Sequence, residues 1–380
     1  TVPSGTTGQR PATVANGMIR YNSTTGFMES YTASGWGSIA QPPTVTGISP
    51  LTTLVSGGST VGAGTETKIV PPTSDATAER YFGYSVAMNS AGTRVIVGVG
   101  YASSVAAGEC AYIYNYDGSN WDTGTKIVAP AADQNSYDNF GISVAMSGDG
   151  TKVIVGAYRE DSGGLNRAGA AYIYTYDSSS SSWGTGVKIQ ASDKETSDYF
   201  GWSVAMNSDG TRIIVGAYAE DAADEVGQAG DLVDAGSAYI YTYDSSSSSW
   251  DTGTKIVAPD RETLDEFGWS VAMNSAGTRV IVGARYEDFG SRPTNAGAAY
   301  IYTYDSSSSS WDTGTKIVAS DPENSDHFGG AVAMNSDGTR VIVGAPNEDP
   351  GGITNAGSVY IYAYDGSSWA QEAKIVASDP

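Results

Sequence analysis

A chain of 380 residues with 48 glycines and recurrent serine runs is long enough to bury a large core, but its composition favours turns over helices. The net charge of −22, from 42 acidic against 20 basic residues, argues against a phosphate-backbone partner such as nucleic acid and favours a soluble, self-repelling surface. One cysteine, Cys110, and one histidine, His327, leave no disulfide pair and no zinc cluster, and no run approaches the roughly 20 apolar residues that would insert in a membrane.

No secretory signal pattern opens the chain, and Thr1 in place of Met reads as a processed or trimmed start. Residues 1–43 alternate polar turns with short aromatic pieces, notably MIRYN and the segment from Phe27 to Trp36. The segment is too short and polar to hold itself up with a private core, so it is expected to need a partner surface or copies of itself. GTTGQRPATVANGMIRYNSTTGFMESYTASGW, with GTT, QRP, NGMIRYN and a closing aromatic-Gly-Trp in that order, resembles a segment recurring in phage and marine-virus structural proteins, especially tail and head fibres. The resemblance implies a virion component attached through this segment to other virion proteins, and fibres of this kind are commonly homotrimers. After Pro42-Pro43, residues 44–64 read as a linker with one or two strands; TVTGISP followed by Gly57-Gly58 resembles the opening of an IPT/TIG domain, with too little room for the whole of one.

From residue 65 to residue 380 the chain is an array. Its landmark is FGWSVAMNSDGTRIIVGA, Phe200–Ala217, and related copies begin at Phe82, Phe140, Phe267 and Phe328, spaced by 58, 60, 67 and 61 residues. Self-similarity at such a period marks a repeat architecture. SVAM and RIIVGA are strand-like pieces joined by the Asp209-Gly210 turn, and RIIVGA is apolar almost throughout, as a strand buried on both faces is. A YIYTY-type strand and a TKIVA-type strand complete each unit. Four short antiparallel strands per unit, five times over, predict an all-β, five-bladed β-propeller. The KIV strand occurs six times, at Lys68, Lys126, Lys188, Lys255, Lys316 and Lys374, so one copy is surplus. The expectation is that residues 65–70 close the ring by pairing within the last blade, removing exposed edges. At the far end ASDP reads like the start of another unit.

These units resemble the FG-GAP repeats of integrin-like β-propellers over about 310 residues, through FG, SVA, DG, VIVGA, a Gly-Ala or Gly-Ser before YIY, a Trp, and a KIVA strand leading to the next Phe-Gly. The resemblance implies a propeller and, in many relatives, extracellular binding. One departure concerns calcium. Relatives that bind it carry a DxDxDG-type string, whereas Asp149, Asp209 and Asp337 here are matched by Ala91 and Ala276, which removes most carboxylate ligands from the hairpin turns.

Other acids recur better. Glu160-Asp161, Glu220-Asp221, Glu287-Asp288 and Glu348-Asp349 follow the VGA strand by two residues, and Asp138, Asp198, Asp265 and Asp326 each precede a Phe-Gly with one residue between. One reading is a ring of calcium sites formed by the Glu-Asp pairs. The preferred reading is that these carboxylates cap turns and accept backbone N–H bonds, because hard cations need six or more converging oxygens. Fifteen of the 25 tyrosines lie in the five YIYxY strands at i, i+2, i+4, a row that could stack sugars but is read as packing between sheets, with the Trp residues after the serine runs as outer-strand anchors. The DSSSSSW loops read as solvated hairpin tips.

No nucleophile or triad constellation is present. Five-bladed propellers do host glycosidases, but those need carboxylates in unlike environments, and near-identical repeats make these acids near-equivalent. The expected function is therefore non-enzymatic and without a cofactor: a virion fibre or a capsid or tail decoration that displays a propeller on the particle surface and touches a host receptor or glycan. The alternatives are a cellular or secreted adhesin with integrin-like repeats, and a propeller glycosidase.

Overall fold

A computed structural model describes strands at 4–5, 19–22, 27–32 and 35–38, and residues 67–72, 81–100, 109–135, 137–221, 232–288 and 293–378. Contacts divide the chain into two units, Thr1–Lys68 and Ile69–Pro380. In the first unit, Ser4–Gly5, Ile19–Asn22, Phe27–Thr32 and Gly35–Ser38 form one four-stranded sheet in chain order, parallel between the first two strands and antiparallel thereafter. The two aromatic pieces of the segment thus supply its strands. The segment read as a linker, 44–64, lies outside the described residues.

The second unit is all-β, five antiparallel sheets arranged like propeller blades, with no α-helix among the described residues. Repeat three serves as the pattern. Ser203–Met206 pairs with Arg212–Ala217 through the hairpin, and Gly210 at φ +64° takes the left-handed turn position that a side chain resists. Arg212–Ala217 pairs in turn with Ser237–Asp244, and Ile213, Ile214, Val215 and Ala217 are fully buried, as an uninterrupted apolar strand should be. The fourth strand is split in two: Ser249–Trp250 and Thr254–Ile256 both pair with Ser237–Asp244, so the Trp and the KIV piece flank a loop and share one edge. Repeats two and four share this split, whereas in repeat five Trp369–Val376 runs on continuously past a register shift.

Sheets stack in sequence order, each inner strand lying against the next. One face of every sheet is rich in Ile and Ala, the other in Val and Tyr, and unlike faces meet. Ile96, Ala111, Ile113 and Ile127 of repeat one pack on Phe140, Val144, Met146, Val155, Tyr172 and Tyr174 of repeat two, and the three later junctions repeat the scheme. Within each junction the Phe of Phe-Gly meets the second Tyr edge-on, as Phe200 does Tyr241 at 6.2 Å and 90°, the geometry aromatic quadrupoles prefer. The hydroxyl of that Tyr donates to a carbonyl in the preceding repeat: Tyr174 to Val128, Tyr241 to Gln190, Tyr302 to Val257, Tyr362 to Val318. The tyrosine row therefore packs and staples sheet to sheet.

The surplus KIV segment does not close the array as expected. Residues 67–72 form no strand, and the outer position of repeat five is held by the chain's own Trp369–Val376. Ile69 packs instead on the first sheet, and Tyr114 donates to the Val70 carbonyl at 3.1 Å, the bond that Val128 receives one repeat later. The physical reason is local: the edge that residues 65–70 were to fill is already occupied.

Candidate functional site

The eight recurrent acids named as calcium candidates each have a neighbour. Glu160, Glu220, Glu287 and Glu348 are buried, and an oxygen of each meets the ammonium of its own repeat's KIV lysine: Lys188 at 2.7 Å, Lys255 at 2.5 Å, Lys316 at 2.6 Å and Lys374 at 2.7 Å. The same lysines reach back to Asp133, Asp193, Asp260 and Asp321 in the loop leading into that repeat. Tyr239, Tyr300 and Tyr360 donate to the last three of those aspartates. Asp161, Asp221, Asp288 and Asp349 accept backbone N–H bonds from Arg167, Asp234, Asn295 and Asn355 at 2.6 to 2.9 Å. The geometry is that of a lysine-centred ion pair beside a capped turn, and a buried pair of this kind is costly to break from one side. Among the described residues no group of three or more His, Cys, Asp or Glu is placed to hold a metal ion.

The aspartates before Phe-Gly are buried as well. Asp138, Asp198 and Asp326 accept the backbone N–H of Asn135, Glu195 and Glu323 at 2.6 to 3.2 Å, and Asp265 accepts that of Glu262. Burial pushes Asp138 and Asp198 up to about 7, with the charges of Glu160 and Glu220 adding to it. Burial and then the Glu287 carboxylate push Asp265 up to about 8. A protonated Asp265 beside Glu287 shares one proton between two buried acids. In the hairpin turns the cap that sequence reasoning missed is Asn: Asn89, Asn207, Asn274 and Asn335 each accept two backbone N–H bonds across the turn. That cap is why Ala91 and Ala276 can stand where other repeats have Asp.

A different surface emerges at the positions where repeats differ. Three positions converge beside each Phe-Gly. The one before the Phe holds Tyr81, Asn139, Tyr199, Glu266 and His327; the one after the Gly holds Tyr84, Ile142, Trp202, Trp269 and Gly330; the one after the VGA strand holds Gly100, Tyr158, Tyr218, Arg285 and Pro346. From repeat two to repeat four their rings form a continuous band, which Arg285 and the neighbouring Tyr286 extend to His327 of repeat five. Trp202 lies 5.0 Å from Tyr158, 5.1 Å from Tyr218 and 4.6 Å from Trp269, while Tyr199 stacks on Tyr218 at 5.4 Å and 21°. Arg285 lies 3.2 Å over Trp269 and is held by Glu266 at 2.6 Å. Tyr286 meets His327 edge-on at 4.8 Å, and the His327 Nδ1 sits 2.8 Å from the Asn347 amide. Burial and then Arg285 hold His327 below its ordinary value.

Backbone strain marks the same place. The residue before the Phe has φ between 45° and 57° in all five repeats, a region where glycine is cheapest, yet no repeat uses glycine there. The side chain at that position is thus retained against a backbone cost. Half-buried Trp and Tyr flanked by Arg, Glu and His combine flat apolar faces with directional polar edges, the composition of recognition hot spots. A cleft of about 510 Å³ at the outer edge of repeats three and four, lined in part by Asp251, Lys255, Tyr302 and Trp311, is built from residue types common to most repeats and lacks such asymmetry.

A family model described as FG-GAP repeat matches residues 121–174, 183–241, 250–302 and 311–362. Each matched segment runs from the outer Trp of one sheet to the YIY strand of the next, so four segments reach across five sheets. No curated protein matches the sequence. Among solved structures, a protein of unknown function from Desulfotomaculum acetoxidans is similar at 12% identity and a TM-score of 0.42, over 78% of this chain and 72% of that one. The periplasmic gluconolactonase PpgL of Pseudomonas aeruginosa is similar at 14% identity and a TM-score of 0.45, over 75% of this chain and 68% of that one.

Proposed function

This chain belongs to the FG-GAP repeat family, and from that premise we propose that it is a non-enzymatic attachment protein whose propeller binds a glycan or receptor on another surface through the band around Trp202 and Trp269. The observation that carries this reading is that the repeats stay nearly constant in their cores and diverge at three positions that meet in one aromatic and charged band. Flat indole and phenol faces suit the CH-rich face of a pyranose or an apolar anchor of a protein partner, and Arg285 and Glu266 supply directional polar contacts. The repeated acids support the non-enzymatic reading, since each is tied to a lysine or a turn N–H in the same way in every repeat that has it, whereas acid–base chemistry needs unlike partners.

The test is a glycan array and a cell-binding assay on the full chain. Trp269→Ala and Arg285→Ala should each weaken binding at least tenfold with the fold retained by circular dichroism; undiminished binding by both would refute the reading.

The proposed setting is the surface of a virus particle, with residues 1–43 attaching a homotrimer to other virion proteins. Support comes from the fibre-like sequence of that segment and from its separate four-stranded sheet. A cellular or secreted adhesin would use the same band, and mass spectrometry of purified particles separates the two: absence of the protein from particles removes the viral setting and leaves the attachment role standing.

A further inference from the structure

Two arginines flank the aromatic band, and only one of them is neutralised. Arg285 of repeat four lies over Trp269 and is held by the Glu266 carboxylate at 2.6 Å. Arg159 of repeat two lies 5.1 Å over Tyr158, the ring from which Trp202 is 5.0 Å and Tyr199 5.5 Å distant. No other repeat has arginine at this position, where Tyr101, Ala219, Tyr286 and Asn347 correspond to it.

The place that Glu266 fills for Arg285, directly before the Phe of the same repeat, is taken in repeat two by Asn139, whose amide meets the Tyr158 hydroxyl at 3.4 Å. Among the described residues no carboxylate oxygen comes within ion-pair distance of Arg159; its Nε is buried without a hydrogen-bond partner, and the residue as a whole is half-buried. Two acids stand near it. Glu109 lies in its field, but one Glu109 oxygen accepts the Phe140 N–H at 3.0 Å and burial pushes that carboxyl up. Asp138, whose carbonyl accepts the Arg159 N–H at 3.1 Å, is pushed by burial up to about 7. By contrast Lys188, Lys255, Arg285, Lys316, Arg340 and Lys374 each have a carboxylate oxygen between 2.5 and 2.9 Å away. In a chain with 42 acidic residues against 20 basic, a half-buried guanidinium without a carboxylate departs from that rule. Such a charge is costly to leave uncompensated, and a carboxylate brought by a ligand would recover the cost.

We propose that the ligand of this band is an acidic glycan, a pyranose whose CH-rich face lies on the half-buried Tyr199 and Trp202 and whose carboxylate pairs with Arg159. The proposal rests on the reading of the band as an attachment surface and narrows it to one class of sugar. A planar guanidinium offers a carboxylate two parallel N–H donors, which fixes the orientation of the sugar ring as well as its charge. The phenol and indole rings beside it supply the flat apolar area that a small charged group lacks. The net charge of −22 still disfavours a polyanion, whereas one carboxylate against one guanidinium is a short-range contact, and surface charges beyond about 8 Å are largely screened at physiological salt.

The experiment is equilibrium binding of the full chain to glucuronate- and sialate-terminated oligosaccharides, beside the same oligosaccharides with the carboxyl reduced to the alcohol. The acid forms should bind at least tenfold more tightly. Arg159→Met, which keeps an apolar stem over Tyr158, should bring the acid form down to the affinity of the reduced one. Asn139→Asp, which supplies the internal carboxylate that Glu266 gives Arg285, should do the same with the fold retained by circular dichroism. Equal binding of the two forms, or a preference that survives either variant, overturns the proposal and leaves the attachment reading standing. Binding of neither form overturns it too, and where Trp269→Ala and Arg285→Ala also leave cell binding undiminished the attachment reading falls with it.

Discussion

Asp265 is the residue with the clearest consequence for stability. Its carboxyl is buried against Glu287 and pushed up to about 8, and Asp138 and Asp198 lie at about 7. A carboxyl raised in the folded state contributes stability that is complete below its unfolded value of about 4 and is lost as pH rises through the folded value. Asp193, Asp260 and Asp321 run the other way: burial pushes each up, but the lysine and tyrosine hydrogen bonds outweigh it and hold each below the usual range, so their share is lost on acidification. Melting temperature should therefore peak near about pH 4 and fall between about pH 4 and 8. Asp265→Asn, which keeps an acceptor for the Glu262 N–H and removes the titration, should flatten the alkaline limb; an unchanged slope in calorimetric melts would refute this assignment. Gly156 offers a second test at this scale. Gly156→Ala drives a methyl into the Gly201 carbonyl and should cost about 1–3 kcal/mol or more, while Gly344→Ala, with open space, should cost well under that in urea melts.

At the scale of the element, the KIV strand is where packing and charge meet. Its lysine is held between a buried Glu and a loop Asp, and its Ile lines the junction core, so one strand ties a loop, a sheet and the next sheet. Lys255→Met leaves Glu220 buried without its cation and should destabilise by about 3–5 kcal/mol, measured by denaturant unfolding. Tyr302→Phe removes one staple to the Val257 carbonyl and should cost about 1 kcal/mol. The calcium reading is tested at the same elements. With the Glu of each pair engaged by lysine and the Asp by a turn N–H, EDTA should leave the melting temperature unchanged within about one degree, since an ion bound only by the folded state would stabilise it by mass action. A drop of many degrees would mean that a cation displaces the lysines.

For the whole molecule, the stack of like junctions predicts graded behaviour. Each sheet contacts chiefly its neighbours, so substitutions at the end repeats should loosen those repeats before the centre, readable by hydrogen exchange. Removing residues 1–43 should leave the propeller's circular dichroism and melting intact and abolish the proposed trimer; a shortened chain that keeps its oligomeric mass at low concentration would assign assembly elsewhere.

The repeat period, the strands and their hairpin turns, and the structural role of the tyrosine row are legible in the residues, because alternation, β-branched runs and Asp-Gly turns act over a few residues. The split outer strand was half-legible: the Trp was seen as an anchor, but its pairing beside KIV depends on the register of a neighbouring strand. Ring closure by residues 65–70 was misread, since counting six KIV motifs cannot tell which edge is already filled. The band around Trp202 and Trp269 is not legible in the repeat, because its signal lies in what departs from the repeat; only the stacking of sheets brings residues 67 positions apart in sequence within 4.6 Å. For the same reason the sequence names the acids, and the tertiary structure alone decides that lysines from a strand about 30 residues onward neutralise them, because a carboxylate's partner is set by burial and long-range packing and not by its neighbours along the chain.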